Sequence, residues 1–221
     1  MSVALVVITD GRRECIERAI PSALTQLRGD IGSLVICDDS GDPVYQRWLR
    51  SQWPEFTLIC APGRVGYTQA MQRVWAVISE LPDEWIWQAE DDFTLDQPID
   101  LDAMISVLST RPELAQIALL RQPWFGNEVE HGGLIEALEA QGNQFRNVTD
   151  GHHWWVQHRA LWTGNPSLFR REIASIPWPN RPYSESAFGQ QLIALGYEFA
   201  YWGKRRQLCT HIGTERAGHG Y

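Results

Sequence analysis

Short apolar runs alternate with amphipathic segments through the first half of the chain. The apolar runs are bounded by turn residues and have the length of buried strands, which predicts strands at residues 4–8, 33–37, 56–60 and 85–89. The segments between them carry apolar residues at helical spacing, which predicts helices at residues 13–27, 43–52 and 67–81. This alternation predicts an α/β fold with a mainly parallel central sheet flanked by helices.

The second half of the chain has a less regular pattern. A helix is predicted near residues 101–109, with Asp100 as its N-cap, and a strand near residues 116–120. A last helix is predicted at residues 185–195, closed by Gly196. Glycine, asparagine and proline recur between these elements, so we expect loops to shape a site there.

Composition and charge narrow the classes of protein that fit the chain. Its 221 residues are 44% hydrophobic and 21% charged, which is typical of a globular domain. The apolar run at residues 3–8 is too short to span a membrane and lacks the flanks of a signal peptide, so we expect a cytoplasmic protein without a membrane span. A net charge of −8 opposes general affinity for nucleic acid. The four scattered cysteines are interpreted as reduced core thiols, and most of the eleven tryptophans as packing residues.

Three successive carboxylates, Glu90, Asp91 and Asp92, follow the last strand of the first half. Like charges this close repel each other and raise each other's pKa values, whereas a divalent cation with oxygen ligands relieves the repulsion. One interpretation is therefore a metal site. The other is a solvated turn whose aspartates cap the next helix.

Polar side chains also follow the first two predicted strands. Asp38 and Asp39 follow the second strand, and Thr9, Asp10 and Arg12 follow the first. Ligands in open α/β sheets bind at the carboxyl ends of the strands, so a base, a ribose or a phosphate is a candidate partner for these side chains. The segment at residues 40–42 equally suits a turn and a helix cap.

Taken in order, these strand ends resemble glycosyltransferase family 2 and its GT-A relatives, from Val3 to about Tyr201. Members open with a strand followed by threonine and basic residues, as at Thr9 to Arg13 here, and continue with an Asp-Asp-Ser-like motif, here at residues 38–40. A glycine-centred segment, residues 63–66, then leads into a helix, and an Asp-x-Asp region follows at residues 90–92, with glutamate in its first position.

The resemblance implies one GT-A domain over residues 1–221. Residues 1–93 would form the half that binds the nucleotide-sugar, residues 94–208 the acceptor and catalytic half, and residues 209–221 a flexible tail or lid.

The resemblance also implies the residues of the donor site. Asp38 or Asp39 would contact the base or ribose, and Arg64 would lie near the base. Asp91 would support the sugar or ribose. Thr9 and Arg12 would belong to the same nucleotide-sugar site.

A divalent metal, Mn²⁺ or Mg²⁺, is implied at the diphosphate. Asp92 would bind it, with Glu90 as a second candidate ligand because glutamate replaces the first aspartate of the motif. Several GT-A enzymes take a further metal ligand from a C-terminal histidine, which makes His211 a candidate; the alternative is an ordinary histidine at a strand end. One interpretation of the glycine-rich tail is a mobile lid in which Arg216 or His219 neutralises the leaving diphosphate, and the other is a disordered chain end.

Residues of the second half are expected to face the acceptor. The segment at residues 164–171, with Asn165, resembles the family's acceptor-side segment. Glu185 occupies the position of the catalytic base, as glutamate in place of aspartate. The tryptophans Trp154 and Trp155 follow two histidines and are expected to lie on the acceptor side.

The function implied is metal-dependent transfer of a sugar from a UDP-type donor to a hydroxyl acceptor, with inversion if Glu185 acts as the base. One alternative is a sugar-1-phosphate nucleotidyltransferase, for which more glycine residues would be expected after the first strand. The other is a carbohydrate-binding protein without catalysis. A saccharide, a lipid-linked sugar, a protein side chain and a modified nucleobase all stay open as acceptors.

Overall fold

Fourteen strands and seven α-helices are present in residues 2–213, the part of the chain that a computed structural model describes. The strands are β1 Val3–Thr9, β2 Leu27–Arg28, β3 Ile31–Asp38, β4 Thr57–Cys60, β5 Trp85–Glu90, β6 Phe93–Leu95, β7 Ile99–Asp100, β8 Leu114–Ala118, β9 Leu120–Arg121, β10 Phe145–Thr149, β11 Trp154–His158, β12 Ser167–Arg170, β13 Glu198–Trp202 and β14 Gln207–His211. The helices are α1 Arg13–Gln26, α2 Pro43–Gln52, α3 Tyr67–Glu80, α4 Leu101–Thr110, α5 Gly126–His131, α6 Leu134–Ala140 and α7 Ser184–Ala194. Every helix and strand predicted from the sequence is confirmed, with boundaries within two residues.

The helix ends follow from local hydrogen bonds. Asp100 caps α4 as predicted, because its carboxylate accepts from Ala103 N at 3.0 Å. Asp42 caps α2 in the same way through Val44 N at 2.8 Å. After α7 the backbone turns at Gly196, whose φ of 95° lies in the left-handed region that glycine favours.

Nine strands form the central sheet, in the order β10-β11-β13-β8-β12-β5-β1-β3-β4. The pairings of β1 with β3, β1 with β5, β3 with β4 and β8 with β13 are parallel, and the other four are antiparallel. The sheet is therefore mixed, and the prediction of a mainly parallel sheet is wrong for the second half. Strand β12 inserts antiparallel between β5 and β8, and β10 and β11 form a hairpin, two arrangements that do not need a crossover helix.

Two apolar layers cover the central sheet. Along β1, Leu5 packs in the layer with α1 and α4, whereas Val6 packs in the layer with α3 and α7. This alternation follows from the two-residue period of a strand, and β1 is buried on both faces because it lies inside the sheet. Large aromatic rings fill the second layer, among them Trp75, Trp178 and Phe188. Most of the tryptophans are thus packing residues, as expected.

The four cysteines are free, and Cys15, Cys37 and Cys209 are buried. This agrees with the interpretation of unpaired core thiols. Among residues 2–213, no helix combines the length and the apolar character needed to cross a membrane.

A small three-stranded sheet, β6-β14-β9, carries the chain's last described strand. The predicted tail from residue 209 onwards begins inside β14, whose Cys209 is fully buried between β6 and β9. The boundary of the tail is therefore corrected: residues 209–211 belong to the fold because β14 pairs with β6 on one side and with β9 on the other. Residues 214–221 lie outside the described part of the chain.

His158 is expected to make the protein less stable in acid. Its ring is 3% exposed and stacks on Tyr201 at 5.0 Å between centroids, and burial lowers its pKa to about 3. Below the ordinary histidine pKa of about 6.5, the unfolded chain binds a proton that the folded chain refuses. The free energy of unfolding should therefore lose about 1.4 kcal/mol per pH unit between about pH 6 and pH 4 from this residue alone.

Urea denaturation at pH 7 and pH 5 measures this loss. In His158→Phe the difference in unfolding free energy between the two pH values should shrink by about 2 kcal/mol. The matched control is His131→Phe, at an exposed position. An unchanged difference in the His158 variant would contradict the assignment.

Candidate active site

Three strand ends meet at one edge of the central sheet. Strands β3, β1 and β5 are neighbours and parallel, with Thr9 paired to Asp38 and Ile8 paired to Glu90. The backbone continues this alignment, since Asp39 N donates to Thr9 O at 2.9 Å and Asp91 N donates to Ile8 O at 2.8 Å. The acidic and hydroxyl side chains singled out in the sequence therefore share one edge.

Arg12 connects the first strand end to the acidic cluster. Its guanidinium donates to both Asp91 and Asp92 and lies 3.2 Å from Asp10. Burial lowers the pKa of Arg12, but the charges of Asp91, Asp92 and Asp10 raise it further, so the guanidinium stays charged. Arg12 thus neutralises part of the repulsion in the cluster.

Asp91 directly follows β5 and is fully buried. Thr9 Oγ1 donates to Asp91 Oδ2 at 2.5 Å, and the Tyr45 hydroxyl lies 2.8 Å from Thr9 Oγ1. Burial raises the pKa of Asp91 to about 7, against the opposing effects of Arg12 and Thr9. The contact between Thr9 and Asp91 therefore joins the ends of β1 and β5.

Asp92 is paired with His211. Strand β14 places His211 opposite Phe93, and Ile212 N donates to Asp92 O at 2.7 Å, which brings His211 Nε2 to 3.1 Å from Asp92 Oδ2. Burial raises the pKa of Asp92, but the hydrogen bond with His211 and the charge of Arg12 outweigh it, so the pKa lies below its ordinary value. Asp92 is therefore an anion in the folded protein.

The position of His211 is set by its neighbours. The side chain of Gln122 accepts from His211 N at 2.9 Å and donates to His211 O at 2.7 Å. The imidazole packs between Trp124, at 4.1 Å between centroids, and Phe93, at 4.9 Å. Since the backbone is clamped and the ring is enclosed, the imidazole is held beside Asp92.

The Asp92 and His211 pair has the chemistry of a partial metal site. Among residues 2–213, neither Asp92 Oδ1 nor His211 Nδ1 has a hydrogen-bond partner, although both atoms are buried. Carboxylate oxygen and imidazole nitrogen suit Mn²⁺. Within the same residues, no group of three or more His, Cys, Asp or Glu side chains is arranged to hold a metal ion. Asp92 and His211 are therefore two candidate metal ligands.

Glu90 and Glu185 converge on Gly164. Because β12 runs antiparallel to β5, the loop before β12 reaches the edge where β5 ends. A β-carbon built on Gly164 would lie 2.7 Å from Glu90 Oε1 and 3.2 Å from Glu185 Oε2. The Tyr67 hydroxyl donates to Glu185 Oε2 at 2.6 Å. The absence of a side chain at Gly164 leaves room for both carboxylates.

Both glutamates have raised pKa values. Burial raises the pKa of Glu185, against the opposing hydrogen bonds from Tyr67 and from Gly164 N. Burial also raises the pKa of Glu90 well above its ordinary value, and the charges of Asp92 and Glu185 add to this. A raised pKa makes the deprotonated carboxylate a stronger proton acceptor.

Gly164→Ala is expected to crowd this pair. The added methyl would meet Glu90 Oε1 and Glu185 Oε2, so at least one carboxylate must move. A displaced proton acceptor costs turnover because proton transfer needs hydrogen-bond geometry, and we expect a loss of about tenfold or more in kcat. Steady-state kinetics measure this, with Gly126→Ala, where the new methyl meets open space, as the matched control. Equal kcat values for the two variants would contradict the crowding.

The two aspartates at the end of β3, Asp38 and Asp39, hold two loops together. Asp38 accepts from Ser40 N at 3.0 Å and from Gln46 Nε2 at 3.0 Å. Asp39 accepts from Val65 N and from Gly66 N, the latter at 3.0 Å. Both aspartates are buried. Their hydrogen bonds therefore shape the floor of the predicted donor site.

The loop after β4 packs closely on the loop after β3. Gly41 has a φ of 66°, and a β-carbon built on it would lie 2.6 Å from Arg64 N. The Arg64 side chain pairs with Asp10, and Arg73 lies 3.5 Å from Asp39. The structure thus brings Arg64 to the same edge as Thr9, Arg12 and Asp39.

The predicted acceptor-side residues have different environments. Asn165 is buried and donates to Leu119 O at 3.2 Å, which holds the loop before β12. Trp154 is 39% exposed, with Lys204 Nζ at 3.8 Å from the centre of its ring. Trp155 is 1% exposed and packs in the core, because successive residues of a strand point to opposite faces. The interpretation of Trp155 as an acceptor-side residue is therefore corrected. Arg216 and His219 lie outside the described residues.

Solved glycosyltransferases have a similar fold. The mannosyltransferase PcManGT from Pyrobaculum calidifontis, in complex with GDP-Man and Mn²⁺, matches with a TM-score of 0.63 and 15% identity over 97% of this chain and 58% of that one. TarS 1-349 from S. aureus, in complex with UDP-GlcNAc, matches with a TM-score of 0.60 and 12% identity over 100% of this chain and 60% of that one. The chain has a glycosyltransferase fold.

This likeness confirms the glycosyltransferase fold that the strand ends predict, although the sheet is mixed rather than mainly parallel; family 2 itself stays a prediction. The chain spans about three fifths of the length of these two structures. No family model matches the sequence. No curated protein matches it either.

Several residues of the site were not singled out in the sequence. Tyr67 is the first residue of α3, directly after Gly66, and Tyr45 lies on α2. Gln122 and Trp124 follow β9, at the end of the strand region that begins with β8. Each of them is a polar or aromatic residue that lies just beyond a strand, or at the start of a helix, on the carboxyl side of the sheet. This position is the sequence signal by which they could have been found.

Proposed function

We propose that the chain transfers a sugar from a nucleotide-sugar donor to a hydroxyl acceptor, with a bound Mn²⁺ or Mg²⁺. The observation that carries the proposal is that Glu90, at the carboxyl edge of a glycosyltransferase sheet, lies between the Asp92 and His211 pair on one side and Glu185 on the other, since the charges of both Asp92 and Glu185 act on it. Ligands of open α/β sheets bind at this edge. The structural neighbours hold GDP-Man and UDP-GlcNAc.

The donor lies, in this proposal, over the ends of β1 and β3. Asp38 and Asp39 hold the loops that would receive the base and ribose, and Arg64 lies at the rim of this region. Thr9 and Asp91, which are hydrogen-bonded to each other, would support the sugar of the donor. Arg12 brings positive charge to the place where the diphosphate would lie. We favour a uridine donor on the family resemblance.

The metal would be held by Asp92 and His211. It would offset the negative charge that develops on the departing diphosphate. Glu90, the third candidate ligand, lies beside Glu185 at Gly164, so we assign it to the surroundings of the base.

Glu185 would act as the general base. As the acceptor oxygen bonds to the anomeric carbon, the bond from that carbon to the diphosphate oxygen breaks, and the acceptor proton passes to the Glu185 carboxylate. Direct displacement of this kind inverts the anomeric configuration. The raised pKa of Glu185 strengthens it as a proton acceptor.

The acceptor would approach across the loop before β12. Asn165 shapes this loop through its bond to Leu119 O, and the exposed ring of Trp154 is a candidate surface for an acceptor sugar. A saccharide, a protein side chain and a modified nucleobase all fit a hydroxyl acceptor.

A donor screen tests the proposal. The chain is incubated with UDP-sugars and GDP-sugars, with and without Mn²⁺, and thermal shift identifies the donor that stabilises the fold. The products are then assayed for free nucleoside diphosphate and for pyrophosphate. We expect nucleoside diphosphate, dependent on the metal, and an inverted anomer by NMR. Release of pyrophosphate would indicate a nucleotidyltransferase, and binding without either product would indicate a carbohydrate-binding protein.

A further inference from the structure

The first turn of α3 docks on the first turn of α7. The Tyr67 hydroxyl donates to Glu185 Oε2 at 2.6 Å, and Thr68 Oγ1 donates to Ser184 Oγ at 3.0 Å. One turn further along α3, Gln72 Nε2 donates to Trp178 O at 3.3 Å. The first two bonds therefore join the helix that follows the donor-side loop to the helix that carries the proposed base, and the third joins it to the segment before that helix.

The place of Tyr67 is set by the donor-side loop. Gly66 directly precedes it and has a φ of 83° and a ψ of 164°, a conformation that is essentially restricted to glycine. The Gly66 and Val65 amides both donate to Asp39. Asp39 thus fixes the backbone segment from which the Tyr67 hydroxyl reaches Glu185.

A hydrogen bond from a hydroxyl to a carboxylate fixes the rotamer of a flexible glutamate. It also stabilises the charged form, which is the form that accepts a proton. A carboxylate has about four acceptor sites, so the bond to Tyr67 leaves others for the acceptor hydroxyl. Tyr67 therefore restrains Glu185 without blocking it.

We propose that Tyr67 is a positioning residue for Glu185, and that it transmits the geometry of the donor-side loop to the base. The inference rests on the proposed role of Glu185 as general base. It predicts that the base is aligned only when the loop at residues 63–66 is in place. Removing the hydroxyl should leave donor binding intact and misalign proton transfer.

Other groups also face Glu185. Glu90 lies beside it on β5, and the Gly164 amide donates to it. Tyr201 on β13 is a further ionisable neighbour, since the charge of Glu185 raises the pKa of Tyr201, after the larger effect of burial. These groups are unchanged in a Tyr67 variant, so a difference between variant and wild type reports the Tyr67 bond.

Tyr67→Phe keeps the ring that packs against Trp178 and removes only the hydroxyl. We expect kcat to fall by about tenfold, the value of one hydrogen bond to a charged group, with KM for the donor within about twofold of wild type. The acid limb of the kcat profile should move to higher pH, because the bond favours charged Glu185. The matched control is Tyr197→Phe, at a partly buried position away from Glu185. A kcat and a pH profile equal to wild type would overturn the inference.

A second measurement does not depend on turnover. The side-chain carboxyl carbon of Glu185, identified by comparison with Glu185→Gln, is titrated by ¹³C NMR in wild type and in Tyr67→Phe. A midpoint at higher pH in the variant supports the contact, and an unchanged midpoint overturns it. If wild type turns over none of the nucleotide-sugars, the proposed function fails, while the NMR result still decides whether the Tyr67 hydroxyl bonds to the charged form of Glu185.

Discussion

Glu185→Gln is expected to lower kcat by about 10²- to 10⁴-fold, the usual contribution of a general base. Glutamine has the shape of glutamate, and its amide oxygen can still accept the Tyr67 hydroxyl. It cannot take up the acceptor proton. The loss should therefore fall on kcat, while KM for the donor and the stabilisation by Mn²⁺ stay near their wild-type values. Steady-state kinetics and thermal shift measure the two effects.

The matched control is Glu17→Gln on α1, where the side chain is exposed. This variant should have wild-type kcat. Near wild-type turnover in Glu185→Gln would contradict the role of Glu185 as the general base. It would indicate another acidic residue or a retaining mechanism.

The pH dependence of kcat follows from the same residue. Glu185 works as a base only when it is deprotonated, and burial raises its pKa above the ordinary glutamate value of about 4.3. Activity should therefore be lost as pH falls, at a higher pH than an exposed glutamate would give. In Glu185→Gln this limb of the residual activity should disappear.

Asp92→Asn is expected to lower kcat/KM by about 100-fold or more, because a metal contributes several kcal/mol to the stabilisation of transition-state charge. The carboxylate is an anion in the folded protein, and the amide that replaces it is a poor metal ligand. Thermal shift with UDP should lose its dependence on Mn²⁺, and the unfolding transition should stay cooperative because the side chain keeps its shape.

Asp102→Asn, at an exposed position of α4, is the matched control and should behave as wild type. A chelator tests the metal directly. Full activity of the wild type in excess chelator would remove the metal from the mechanism.

The first half of the fold was predictable from the sequence alone. Strand β1 is a continuous apolar run because it is buried on both faces, and α1 to α3 show helical spacing because one face of each is buried. Local turn signals rarely interrupt these strong patterns. The predicted elements consequently agree with the structure to within two residues.

Strand β8 is predicted from the sequence, but the later strands of the second half are not, for a physical reason. Strand β10 is mostly exposed at the edge of the sheet, and β12 is only four residues long, so neither has a clear period. The sequence pattern assigns residues 209–211 of β14 to a tail, although pairing with β6 and β9 holds the strand in the fold. The direction of each of these strands depends on tertiary partners, which is why the mixed sheet was missed.

The sequence by itself determined the candidate chemistry: carboxylates at three strand ends, a late glutamate at a helix start and a C-terminal histidine. Local propensity and burial pattern are enough to place such residues at the ends of elements. Only the tertiary structure decided which of them meet. It paired Asp92 with His211 across 119 positions of the chain, set Glu90 beside Glu185 and buried Trp155, because sheet order and strand direction arise from long-range packing that no local pattern encodes.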